Sequence, residues 1–157
     1  MTDAADQSPS TTAVVSWPSS TQTAVARQVP AWVMEFISEW QAHLLLHAWQ
    51  LRANIDEDLD AEPGQKTMAT ARAYPDIMEA YIDISPDISP EPTTTWQKVL
   101  LHELLHVVTA RPFDFVERDL LPELGEQARR LAAKTMVREV EPVIEALTYI
   151  IWEMYED

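Results

Sequence analysis

The chain has 157 residues, of which 26 are acidic and 11 basic, for a formal net charge of −15. That length suits one domain with a real hydrophobic core and is short for two. The charge disfavours nucleic acid and anionic membranes as partners. The absence of cysteine excludes disulfides and thiolate metal sites, so any metal must be held by His, Asp and Glu.

Residues 1–29 are rich in Ser, Thr and Ala and are expected to form a disordered tail. Within them, Val14, Val15 and Trp17 are candidates for a short strand or a cover over a groove. The folded domain is expected over 30–157. No stretch combines a basic start with an apolar core, and no apolar run approaches ~20 residues. A soluble, cytosolic protein is therefore expected.

The first helix is expected to start at Pro30 and to run through "AWVMEFISEWQAHLLLHAW". Trp32, Phe36, Ile37, Trp40, Leu44 and His47 recur at helical spacing and mark its core face. A strand is expected over 48–55, then a turn in "DAEPGQ" at Pro63 and Gly64. "KTMATARAY" reads as a second strand. "EAYIDIS", 79–85, alternates as a third, and its acidic groups with Pro86 and Pro90 beyond it suggest a sheet edge.

The central helix lies in "PEPTTTWQKVLLHELLHVVTARP", with Thr94 and Gln97 as a capping box and Pro112 as its stop. A loop is expected over 111–125. The last helical region starts near Glu126, and Pro142 should kink or split it. Val140, Ile144, Leu147, Ile151 and Met154 form its apolar stripe. The order of elements predicts an α+β fold, a small sheet of two or three strands packed on the central and C-terminal helices.

The central helix carries the chemistry. Residues four apart share a helix face, so His102 and His106 project side by side at the spacing that two ligands of one metal need. Glu103 follows His102 directly. This is the H-E-x-x-H pattern, two ligands and a general base for a metal-activated water. Burying three ionisable groups on an apolar helix without a partner is costly. Two histidines do not complete a site, because catalytic zinc takes three protein ligands and keeps one open position. The extension that would supply a third ligand downstream on the same stretch fails, since Thr109 and Pro112 occupy its positions.

"EPVIE", 141–145, offers Glu141 and Glu145 one turn apart on the last helix. With "HELLH" at 102–106, this order resembles the gluzincin clan of zinc metallopeptidases, the thermolysin-like group. In that clan H-E-x-x-H is followed on a later helix by E-x-x-x-D. In its small size the chain is similar to minigluzincins and to the short H-E-L-x-H proteins encoded in phage genomes. The resemblance covers roughly residues 30–157 and implies a minimal zincin-like fold. It implies a Zn2+ cofactor, a peptide or protein substrate, and Glu141 as the third ligand. Glu145 would be the carboxylate that orients a histidine, although Glu stands where the pattern has Asp, so the roles of the two glutamates stay open.

The expected reaction is peptide-bond hydrolysis with Glu103 as general base. Zincins present an edge strand to an extended substrate, and 79–85 fits that place. Tyr149 is the first candidate for the oxyanion donor, with Arg111 and Tyr81 as alternatives. His43 and His47 lack a following carboxylate and read as core or interface groups. Two other readings use the same residues differently. One is a non-catalytic domain stabilised by zinc. The other is a metal-free, acidic helical assembly protein with Trp32, Trp40 and Trp49 as interface anchors.

Overall fold

The computed structural model describes residues 28–59 and 67–156. The expectations for the tail, for its Val14, Val15 and Trp17, and for the Pro63–Gly64 turn fall outside those residues. The chain is α+β. Its elements are α1 (Ala31–His43), β1 (Gln50–Ile55), β2 (Ala69–Tyr74), β3 (Glu79–Ile84), α2 (Thr94–Phe115) and α3 (Glu126–Glu156). A π-helical turn at Val116–Leu120 and a 3-10 turn at Leu121–Glu123 join α2 to α3. Among the described residues no helix is long and apolar enough to cross a membrane.

The three strands form one mixed sheet in the order β1-β3-β2. β1 runs parallel to β3, and β2 pairs with β3 as an antiparallel hairpin. The 79–85 strand is therefore central and not an edge. Its acidic groups do not force it outward, because Asp83 has partners on both sides. Arg72 Nε on β2 donates to Asp83 at 2.6 Å, and Asn54 Nδ2 on β1 donates to it at 3.4 Å. A buried carboxylate held this way keeps its hydrogen bonds while the other face of the strand, Ala80, Ile82 and Ile84, enters the core.

That core joins α1, the sheet and α2. Val33, Phe36, Ile37 and Trp40 come from α1, and Trp96, Leu100, Leu101, Leu104 and Val107 from α2. Trp40 and Trp49 are thus committed to the chain's own interior and are not surface anchors. Trp32 is half-buried and donates its indole N–H to the Ser89 carbonyl.

α1 ends six residues earlier than its apolar pattern suggests. Leu46 N–H bonds to Gln41 O at 2.9 Å and Leu45 N–H to Ala42 O at 3.2 Å. These two bonds define a Schellman cap, which needs a left-handed residue between them. Leu45 fills that place with φ 56°. The cap turns Leu46 and Trp49 into the core and leaves His47 exposed beyond the helix. His43 and His47 consequently do not share a helix face. His43 packs edge-on against Trp40 and near Tyr155.

Three further boundaries differ from the sequence pattern. The cap of α2 is Thr93, whose hydroxyl accepts from the Trp96 N–H at 3.3 Å, and not Thr94. α2 continues through Pro112 to Phe115, so most of 111–125 is helical and not a loop. α3 likewise runs unsplit through Pro142. A proline removes one helical bond, to the carbonyl four residues back. Here those carbonyls belong to Val108 and Arg138, both on exposed faces, where water can replace the lost donor. The buried stripe of α3 is Ile144, Thr148 and Trp152, while Leu147 and Met154 of the expected stripe are exposed.

Leu45 is 80% exposed and gains nothing from its side chain in the strained conformation. Leu45→Gly is expected to stabilise the protein by roughly 0.5–1 kcal/mol, since relief of the left-handed strain outweighs the added chain entropy. Chemical denaturation checks this; a lower midpoint would show that the cap is not strained.

Candidate metal centre

α2 turns about 100° per residue, so His102, Glu103 and His106 leave it in different settings. Leu100, Leu101, Leu104 and Leu105 face the core. His102 and His106 lie on the opposite side, half-buried in the floor of a cleft of about 770 Å³. Glu103 falls at the margin between the two and is only 7% exposed. β2 walls one side of the cleft and α3 the other, with Glu141, Glu145, Thr148 and Tyr149 along the α3 wall.

The two imidazoles turn their Nε2 atoms toward each other, 3.1 Å apart. Glu141 closes the group, with one oxygen 3.4 Å from His102 Nε2 and the other 3.4 Å from His106 Nε2. His102, His106 and Glu141 form a potential metal-holding cluster among the described residues, with their ligand atoms all within 4.8 Å of one another. These spacings can be tested against a zinc ion. Bonds of ~2.0–2.2 Å at tetrahedral angles put neighbouring ligand atoms about 3.3–3.5 Å apart. The donor set therefore fits a small tetrahedral cation with little movement. It also fits chemically, two imidazole nitrogens and a carboxylate being a common zinc set.

Electrostatics point the same way. Burial lowers the His106 pKa from its ordinary value, with His102 reinforcing the shift and Glu141 opposing it. A neutral imidazole keeps the lone pair that a metal needs. Burial also pushes the Glu103 carboxyl up to about 7. The backbone of Ala71 on β2 hydrogen-bonds it and works against that rise, while the charge on Glu141 adds to it.

The Ala71 contact follows from the register. Ser85 N–H bonds to Met68 O at 2.8 Å, so residues 68, 70, 72 and 74 direct their backbone groups to β3. Residues 69, 71 and 73 direct theirs outward. All three are alanines, which lets α2 pack close beneath β2 and brings Glu103 to the free edge of the strand. The edge beside the cluster is therefore β2, in place of the 79–85 strand that the sequence suggests.

The other candidates separate cleanly. Glu145 and Tyr149 line the cleft, but Glu145 is not part of the three-residue cluster. Tyr149 is exposed at the cleft and has the Lys98 ammonium 5.5 Å from its ring centroid. Arg111 points elsewhere, its guanidinium 2.9 Å from the Met78 sulfur. Tyr81 lies on the outer face of the sheet, where it donates to Glu79. Sequence reasoning missed two groups. Lys98 shares the face of His102 one turn earlier, so the spacing that pairs the histidines could have found it. The Ala71 N–H had no sequence signal, because it is a backbone group brought in by sheet register.

No protein-family model, no curated protein and no solved structure matches the chain. The geometry of the cleft is accordingly the ground for its function.

Titration with Zn2+ is expected to load one ion per chain and raise the melting temperature. His102→Ala, His106→Ala and Glu141→Ala should each weaken loading by at least about a hundredfold, and Glu145→Gln by no more than about tenfold. Calorimetry on the four variants reads this; equal losses at Glu141 and Glu145 would reassign the third ligand.

Proposed function

We propose that the chain is a zinc-dependent peptidase in which His102, His106 and Glu141 hold the ion and Glu103 is the general base. One observation carries the reading: three donor atoms converge at tetrahedral spacing with a buried carboxylate beside them at an open cleft. A purely structural ion would not need that carboxylate, and burying it is costly unless it is used or well partnered. The H-E-L-L-H and E-P-V-I-E segments, and their resemblance to gluzincins, support the same assignment.

Zinc bound there supplies Lewis acidity and lowers the pKa of a water from ~16 to about 7. The chain's own groups do the rest. Glu103 takes a proton from the attacking water and returns it to the amine that leaves. The Ala71 N–H fixes the carboxylate for both transfers. An extended peptide adds to the outward edge of β2, where the backbone groups of Ala69 and Ala73, on either side of Ala71, have no partner among the described residues. Tyr149, exposed on the α3 wall, is the group assigned to the developing oxyanion. Glu145 is assigned to orientation of the ligand set from the same wall.

Glu103→Gln tests the proposal, because it keeps the shape of the side chain and removes the base. It should retain zinc within about tenfold and lose peptide hydrolysis by about 10²–10⁴, measured on a quenched-peptide library. A wild-type chain that loads zinc and cleaves nothing is the non-catalytic, metal-stabilised domain. A chain that loads no zinc sinks both.

A further inference from the structure

Beyond His106 the cleft continues into a side pocket of about 220 Å³ that the proposed reaction leaves unused. Ala71, His106 and Glu141 line both spaces, so the two are continuous. Three elements wall the pocket: Ala73 from β2, Ala110 and Phe113 from α2, and Met136, Val137 and Val140 from α3. Phe113 can take part because α2 runs on through Pro112. It lies two turns beyond His106, on the same helix face, and Val137 lies one turn before Glu141. Each therefore extends a row that begins at the candidate metal centre.

Most polar groups of the pocket are already committed. The Thr109 hydroxyl turns back to the carbonyls of Leu105 and His106, at 3.1 Å from each. His106 and Glu141 face each other and His102. Glu117 is left, exposed on the π-helical turn. What the walls offer a ligand is apolar contact. An apolar cavity of about 150 Å³ is enough to hold a benzene ring. A pocket of about 220 Å³ thus admits one large aliphatic or aromatic side chain.

Sheet register says which side chain would enter. Ala73 directs its backbone groups outward, as Ala71 does, and both side chains line the pocket. Residues opposite each other in paired strands place their side chains on the same face. A peptide residue paired with Ala73 therefore points its side chain down past Ala73 toward Ala110 and Phe113. Ala73 is two residues, about 7 Å, along the strand from Ala71, where Glu103 is held. Resting on the peptidase reading and its peptide alignment along β2, we infer that this pocket sets specificity, by taking a bulky apolar side chain close to the bond that is cut. The pocket also pins the register, since an extended peptide can otherwise slide along the edge of β2.

Blocked Ala/Ser heptapeptides with one central Ala, Leu or Lys test this. Their binding is measured by calorimetry on the full-length Glu103→Gln chain with Zn2+ present. The Leu peptide should bind at least about tenfold more tightly than the Ala peptide. Ala110→Phe and Val137→Trp, each made in the same background to fill the pocket, should bring that ratio close to one. Val137 is 59% exposed, so the larger side chain there spares the core even if Ala110→Phe fails to fold. Equal binding of the Leu and Ala peptides, or a ratio that survives in the folded variants, would overturn the assignment. Tightest binding of the Lys peptide would overturn it too, and would give the pocket to Glu117 and a basic side chain. On the wild type, the cut should keep a fixed distance from Leu as Leu is moved along the peptide. Preference for Leu without any cleavage keeps the pocket and sinks the peptidase, and cleavage without preference does the reverse. A chain that binds none of the peptides sinks both.

Discussion

One helix has to meet two demands that pull against each other. α2 supplies the largest share of the core through Leu100, Leu101, Leu104 and Val107, and the same stretch, 100–107, carries two imidazoles and a carboxyl group. Ionisable groups next to a core are tolerated only if each finds a partner. The fold meets this with groups from two other elements: the Ala71 N–H from β2 for Glu103, and Glu141 from α3 for both histidines. The packing of β2 and α3 on either side of α2 therefore stabilises the fold and assembles the cleft at once.

Seen this way, several local features serve the same end. Three alanines on β2 let the strand lie close to α2. The Schellman cap at Leu45 ends α1 early, so that β1 can enter the sheet parallel to β3. β3 is then flanked on both sides, which leaves β2 as the edge beside the cleft. Asp83, Arg72 and Asn54 secure the three strands from the outer face, away from His102, His106 and Glu141. The long, unbroken α3 serves core and cleft with two different faces.

Much of this was legible residue by residue. The alternation in "EAYIDIS" marked a strand, and the i, i+4 pair of histidines marked one helix face. Glu141 was nameable as a candidate because it recurs with Glu145 at helical spacing after the H-E-x-x-H helix. Other features were hidden for definite reasons. Acidic residues in a strand suggest an edge, but Asp83 is central because its partners come from neighbouring strands. Three consecutive threonines, 93–95, leave the cap of α2 undetermined within a residue. Pro112 and Pro142 look like breakers, yet they stand where the freed carbonyls face water. Leu45 carries no sign of a left-handed cap, because leucine is not the residue that such a position selects.

By itself the sequence determined the α+β class, the helix that carries His102, Glu103 and His106, and the ligand chemistry available to a chain without cysteine. These depend on periodicity and composition, which are local properties. Tertiary structure alone decided that Glu141, and not Glu145, meets the two imidazoles, that β2 borders the cleft, and that Leu147 and Met154 of α3 stay outside the core. Each of these depends on the rotation and register of one element against another. No spacing within a single segment encodes that relation, because it is set by how side chains from distant segments pack together.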